Sequence, residues 1–143
     1  MKQQRFGDHC VLRLFPGEEV VAVLTDFVRR EEIRGGYLLG FGAFSDVSLR
    51  YFDMASKQYR SHTVAKQVEA ISLLGNIARL PDGSPKLHLH ASVADVDGKT
   101  NSGDLEQGHV QPTLEIFLTR FSGELRREHD AATGLDLLAL TGE

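Results

Sequence analysis

Apolar residues keep helical spacing in one stretch of this 143-residue chain, and that leaves strands to build most of the rest. From Glu18 onward, Val20, Val23, Leu24, Phe27 and Val28 fall at the i, i+3, i+4, i+7, i+8 positions of a single helical face. Glu18 and Glu19 suit the positive end of that helix, and Arg29 and Arg30 suit its negative end. Gly35-Gly36 then breaks it.

Elsewhere the pattern is alternation. Phe6 to Phe15 reads as a first strand closed by Pro16-Gly17. Tyr37 to Phe52 is a long strand with Leu39, Phe41, Ala43, Val47, Leu49 and Tyr51 on one parity, and Gly40 and Gly42 mark a bulge or close backbone approach in it. Lys57 to Lys66 is a polar hairpin strand. Val68 to Ile77, closing at Gly75-Asn76, is apolar on both parities, as in a strand covered by a helix on one face and another subunit on the other. Arg79 to Lys86 is a loop, Gly103 to His109 an irregular segment, and Pro112 to Phe121 a strand with Leu114, Ile116 and Leu118 inward. A short strand at Glu124 to His129 and an apolar tail, Leu135 to Leu140, packed on the body complete the chain. The expected fold is α+β: a mostly antiparallel β-sheet packed with one main α-helix, in a single domain over residues 1–143 with its core at about 5–138.

Charge narrows the functional classes. Sixteen basic against twenty acidic residues give a net charge of −4, whereas a protein gripping the DNA backbone needs a basic excess or a concentrated basic face. Arg29-Arg30 with Arg34, and Arg126-Arg127, are interrupted by acids and read as solvated surface. The single cysteine, Cys10, sits in an apolar run as a small core residue. No stretch approaches the roughly 18 consecutive apolar residues of a membrane span, and a soluble cytoplasmic protein is expected.

The chemistry concentrates at Leu87-His88-Leu89-His90-Ala91. Residues alternate faces along a strand, so His88 and His90 share one side while Leu87, Leu89, Ala91 and Val93 take the other. Two imidazoles at this spacing reach one divalent ion, and Asp104 from the following segment is the candidate third ligand. His109 is a nearby substitute. Glu69 and Glu115, lone carboxylates inside apolar strands, are candidate general bases, with a hydrogen-bonding role as the simpler reading. Ser72 and Ser92 lack the strand-to-helix turn of a serine nucleophile, and His9, His62 and His129 read as surface residues.

Taken in order, several segments resemble a known family, the plant and prokaryote conserved (PPC) domain in its stand-alone form. They are Pro16-Gly17-Glu18-Glu19-Val20, Gly40-Phe41-Gly42-Ala43 leading to Leu49-Arg50-Tyr51-Phe52, Val68 to Ile77, Leu87 to Ala91, and the closing Arg127-x-x-Asp130-x-x-Thr133-Gly134-Leu135. The resemblance implies a homotrimer, with a metal held in several members by three histidines near the subunit contacts. Where the family has Gly-Gly-His-Leu, this chain has Ser102-Gly103-Asp104-Leu105, so Asp104 stands at the third ligand position. A carboxylate there suits zinc or a harder divalent ion. The resemblance also implies a binding and assembly module with a DNA-associated or regulatory role, although the chain has no basic AT-hook. The alternative is a metal-dependent enzyme or small-ligand-binding protein using His88, His90 and Asp104 near a subunit interface. Without a convincing general base, binding is the stronger expectation.

Overall fold

The computed structural model describes residues 1–142. Among these residues the expected α+β architecture is present: one helix and nine strands, paired antiparallel except at one contact. The chain begins with β1 (Lys2–Phe6) and β2 (His9–Leu14), a hairpin where one strand was expected, because Gly7 adopts a left-handed φ of 61° and turns the chain. Helix α1 (Val20–Arg30) follows. Its cap is Glu19, whose carboxylate accepts from the backbone N–H groups of Val21 at 3.0 Å and Ala22 at 2.7 Å, satisfying two of the donors a helix start leaves unpaired. Val20, Leu24, Phe27 and Val28 are fully buried, each stabilising the fold by about 1.5–3 kcal/mol of transfer free energy.

The next four long strands are β3 (Gly36–Asp53), β5 (Val68–Arg79), β6 (Pro85–Ala94) and β7 (Thr100–Arg120), with the hairpin strand β4 (Gln58–Val64) beside β3. They close a ring in which β3 pairs with β5, β5 with β6, β6 with β7, and β7 again with β3. Helix α1 packs against β6 and β7, and β2 extends the sheet along the later half of β7. The last hairpin, β8 (Arg126–Asp130) with β9 (Leu135–Ala139), meets the ring through one parallel pairing, Arg79 with Arg126. Among the described residues, no helix is long and apolar enough to cross a membrane.

The structure corrects five expectations. Gly40 and Gly42 do mark a bulge, but it reverses the facing of β3: Leu38 and then Ala43, Phe44, Val47 and Leu49 point inward, while Leu39, Phe41 and Tyr51 are exposed. A shift between Ala70 and Ser72 likewise buries Ala70 and Leu73 and leaves both Ile71 and Leu74 outside. β5 does not close at Gly75-Asn76 but runs on to Arg79. Gly75 is there for space, since a Cβ would meet the carbonyl oxygen of His88 at 2.0 Å. The segment Gly103 to His109 belongs to β7 and pairs with β6 and β3, yet it keeps part of the expected irregularity, since the register with β3 shifts around Glu106 and again between His109 and Val110. The apolar tail is an edge strand, with Leu137 and Leu140 exposed.

Candidate metal centre

β6 carries His88 and His90 on one face, and its register sets their neighbours. Asn76 and Leu74 of β5 stand opposite His88 and His90, and on the other side His90 is paired with Asp104 of β7. The Nε2 atoms of the two histidines are 3.1 Å apart, and His88 Nε2 is 3.6 Å from Asp104 Oδ2. Ligands bound to zinc at about 2.0–2.1 Å stand about 3.3 Å from one another at tetrahedral angles. Both separations fall near that edge length. Among the described residues, His88, His90 and Asp104 form the one group of potential metal ligands this close, with their ligand atoms within 4.8 Å.

The structure brings to the site two arginines that the sequence placed in family-like segments but not among the site candidates. Arg50 of β3, paired in register with Asp104, donates to Asp104 Oδ1 at 2.6 Å and lies over the Tyr59 ring at 4.4 Å. One oxygen of Asp104 is thus engaged, and the other faces the histidines. Burial opposes the charge on Arg50, yet the bond to Asp104 and its negative charge leave the guanidinium more firmly protonated than usual. Arg127 of β8, expected on the solvated surface, is buried. It donates to the Asp136 carbonyl at 2.6 Å, to Asn76 Oδ1 at 2.9 Å and to His88 Nδ1 at 3.3 Å. Neither arginine was a site candidate from the sequence, because a charged residue in an alternating strand usually faces water.

Burial, followed by the charges of Arg127 and His90, lowers the pKa of His88 and favours the neutral ring that a metal requires. Beside the centre lies a cavity of about 330 Å³, whose lining includes Arg50, Tyr59, His88, Asp104, Arg127 and Leu137. The β8–β9 hairpin supplies one wall.

The other candidates stand apart from this group. His109 Nδ1 meets Asp46 Oδ1 at 2.8 Å, while its backbone bridges to Glu19. Glu69 is exposed beside Ala94, and Glu115 lies between Arg13 and Phe41 in the ladder. The burial expected to make either a general base is missing for Glu69 and incomplete for Glu115. Ser92 accepts from Ser102 at 2.9 Å. His9, His62 and His129 are exposed, as expected.

Residues 1–122 match the model of the Plants and Prokaryotes Conserved (PCC) domain. The chain is 35% identical over 130 residues to the bifunctional protein GlmU of a Synechococcus strain, covering 86% of this chain but 18% of that much longer protein. A candidate DNA-binding protein from Bacteroides thetaiotaomicron has the same fold with a TM-score of 0.93 at 25% identity, 96% of each chain being covered. A metal-containing protein from Archaeoglobus fulgidus superposes with a TM-score of 0.87 at 28% identity, over 95% of this chain and 96% of the other.

Proposed function

Because the chain belongs to the Plants and Prokaryotes Conserved (PCC) domain family, we propose that it is a homotrimeric ligand-binding module centred on a divalent cation held by His88, His90 and Asp104. The observation that carries this reading is the spacing of the three ligand atoms, 3.1 Å between the imidazole nitrogens and 3.6 Å from His88 to the carboxylate. His88, His90 and Asp104 would hold the ion through two nitrogens and one oxygen, and it would supply Lewis-acid character toward an oxygen donor in the adjoining cavity. Glu69 and Glu115 are not in the cluster, so the arrangement favours binding over turnover. The similar protein from Archaeoglobus fulgidus, described as metal-containing, supports the same view.

Assembly as a trimer draws support from the outer face of the sheet. Phe117, Leu39 and Leu74 are successive cross-strand partners on β7, β3 and β5, and all three are exposed. The row continues to His90. An apolar stripe ending at the metal candidates is a surface suited to contact between copies of the chain. Metal analysis of untagged protein tests the centre: one zinc or similar divalent ion per chain is expected, lost in the His88→Ala, His90→Ala double variant, and protein purified without any metal overturns it.

A regulatory role on DNA is the second reading, favoured by the likeness to the candidate DNA-binding protein from Bacteroides thetaiotaomicron. The net charge of −4 opposes it. Fluorescence titration of duplex DNA at two salt concentrations decides, and absence of binding at the lower salt removes it.

A further inference from the structure

We propose that the cavity between the metal candidates and the β8–β9 hairpin binds a short-chain aliphatic carboxylate, received by the guanidinium of Arg127. Arg127 is a buried cation, 7% exposed, and each of its hydrogen bonds goes to a neutral group: the Asp136 carbonyl, the Asn76 amide oxygen and His88 Nδ1. Its Nε, like that of Arg50, has no hydrogen-bond partner among the described residues. Asp104 takes Arg50 and Glu124 takes Arg126. The Asp136 carboxylate is near enough for its charge to favour the Arg127 cation, but only the Asp136 backbone carbonyl accepts a hydrogen bond from it. Arg50, on the opposite wall of the same cavity, shows the ordinary arrangement, a guanidinium bonded to a carboxylate at 2.6 Å. Arg127 has no carboxylate hydrogen-bonded to it. A buried guanidinium without an anion is costly, and its planar fork fits a carboxylate best.

The rest of the lining defines the ligand. Arg50, Lys86 and Arg127 are balanced by Asp104, Glu106 and Asp136, so a singly charged anion is better tolerated than a phosphate dianion. Leu87, Leu105, Leu135 and Leu137 give the cavity apolar walls for an alkyl group, and its volume of about 330 Å³ suits a molecule of a few carbons. The hairpin that contributes Arg127, Leu135 and Leu137 lies beyond residues 1–122, the part matched by the family model.

The site goes beyond the metal reading and does not require it. Isobutyrate, its neutral isostere isobutyramide and inorganic phosphate are titrated calorimetrically into the full chain, once after metal removal and once with zinc added. Saturable binding of isobutyrate, little or none of the other two, and a loss of roughly tenfold or more in Arg127→Met are expected. Because Arg127→Met removes a buried side chain, Leu137→Glu serves as a second variant. It places a negative charge at an exposed position of the cavity wall and is expected to weaken isobutyrate to a similar degree while leaving the circular dichroism spectrum unchanged. Isobutyrate binding that survives Leu137→Glu undiminished, isobutyramide binding as tightly as isobutyrate, or zinc binding with no carboxylate binding in either state overturns the inference. The last of these outcomes leaves the metal centre standing. Carboxylate binding without zinc binding supports the inference and removes the metal reading.

Discussion

Arg127 Nη2 donates to His88 Nδ1 at 3.3 Å, which fixes that ring nitrogen as an acceptor and places the proton of the neutral ring on Nε2. A metal on Nε2 requires the opposite tautomer, with the proton on Nδ1, so cation binding and the Arg127 contact exclude each other. A cation bound at His88 Nε2 would therefore cost the Arg127–His88 hydrogen bond.

His88 in metal-free protein is therefore predicted to titrate below its usual value of 6.5, chiefly through burial and secondly through Arg127. Arg127→Met should recover part of that depression, since burial remains. The sign for stability follows from the unfolded chain binding the proton more readily than the folded one. His88's contribution is fully present above the unfolded pKa and is lost as pH falls through the folded pKa, and the variant should lose less over that interval. An NMR titration of the ring measures both midpoints, and an unchanged midpoint in Arg127→Met contradicts the assignment.

Asp104 serves Arg50 with one oxygen and faces His88 with the other, so substitutions there separate structural from ligand roles. Asp104→Ala leaves the partly buried Arg50 guanidinium without its acceptor and should cost about 1–3 kcal/mol in urea unfolding, besides abolishing metal. Asp104→Asn retains an acceptor for Arg50 but withdraws the anionic ligand, so most of the stability should remain while zinc affinity falls. Equal stability losses in the two variants would show that the charge itself, not the acceptor, holds Arg50.

Much of this arrangement was legible in the sequence. Val20 to Val28 announced the helix, and Leu87 to Ala91 announced a strand with two imidazoles on one side. What alternation could not supply was the register. Gly40 and Gly42 marked the bulge in β3, but whether it reverses the facing of the residues before it, turning Leu39 and Phe41 outward, depends on pairing with β5 and β7 that alternation does not contain. Arg127 was missed for a related reason. Its burial depends on the β8–β9 hairpin folding against Asn76 and His88, residues 51 and 39 positions away.

Gly75 tests how closely the site depends on the packing of β5 against β6. A methyl group at this position would sit 2.0 Å from the His88 carbonyl oxygen, a backbone atom that cannot step aside alone. Gly75→Ala should cost roughly 1–3 kcal/mol by forcing the strands apart, and zinc affinity should fall with it because His88 moves. Thermal unfolding and metal titration check the two effects. Wild-type stability in this variant would show that β6 does not lie as close as described.

The outward row Phe117, Leu39, Leu74 and His90 leads to the last prediction, because one substitution in it distinguishes assembly from folding. Leu74 is 53% exposed, so replacing it with aspartate removes little from the core. In an isolated subunit the change should shift stability by about 0.5 kcal/mol or less, as for an ordinary surface substitution. In a trimer closed over this stripe, Leu74→Asp buries three symmetry-related carboxylates without partners, and desolvation disfavours the assembled state. The expected outcome in light scattering is a trimer for the wild type and a monomer for Leu74→Asp, with the circular dichroism spectrum retained. Leu74 stands opposite His90 in the ladder, so a trimer dissolved by this change should also bind zinc more weakly. A variant that remains trimeric places the subunit contact elsewhere on the sheet.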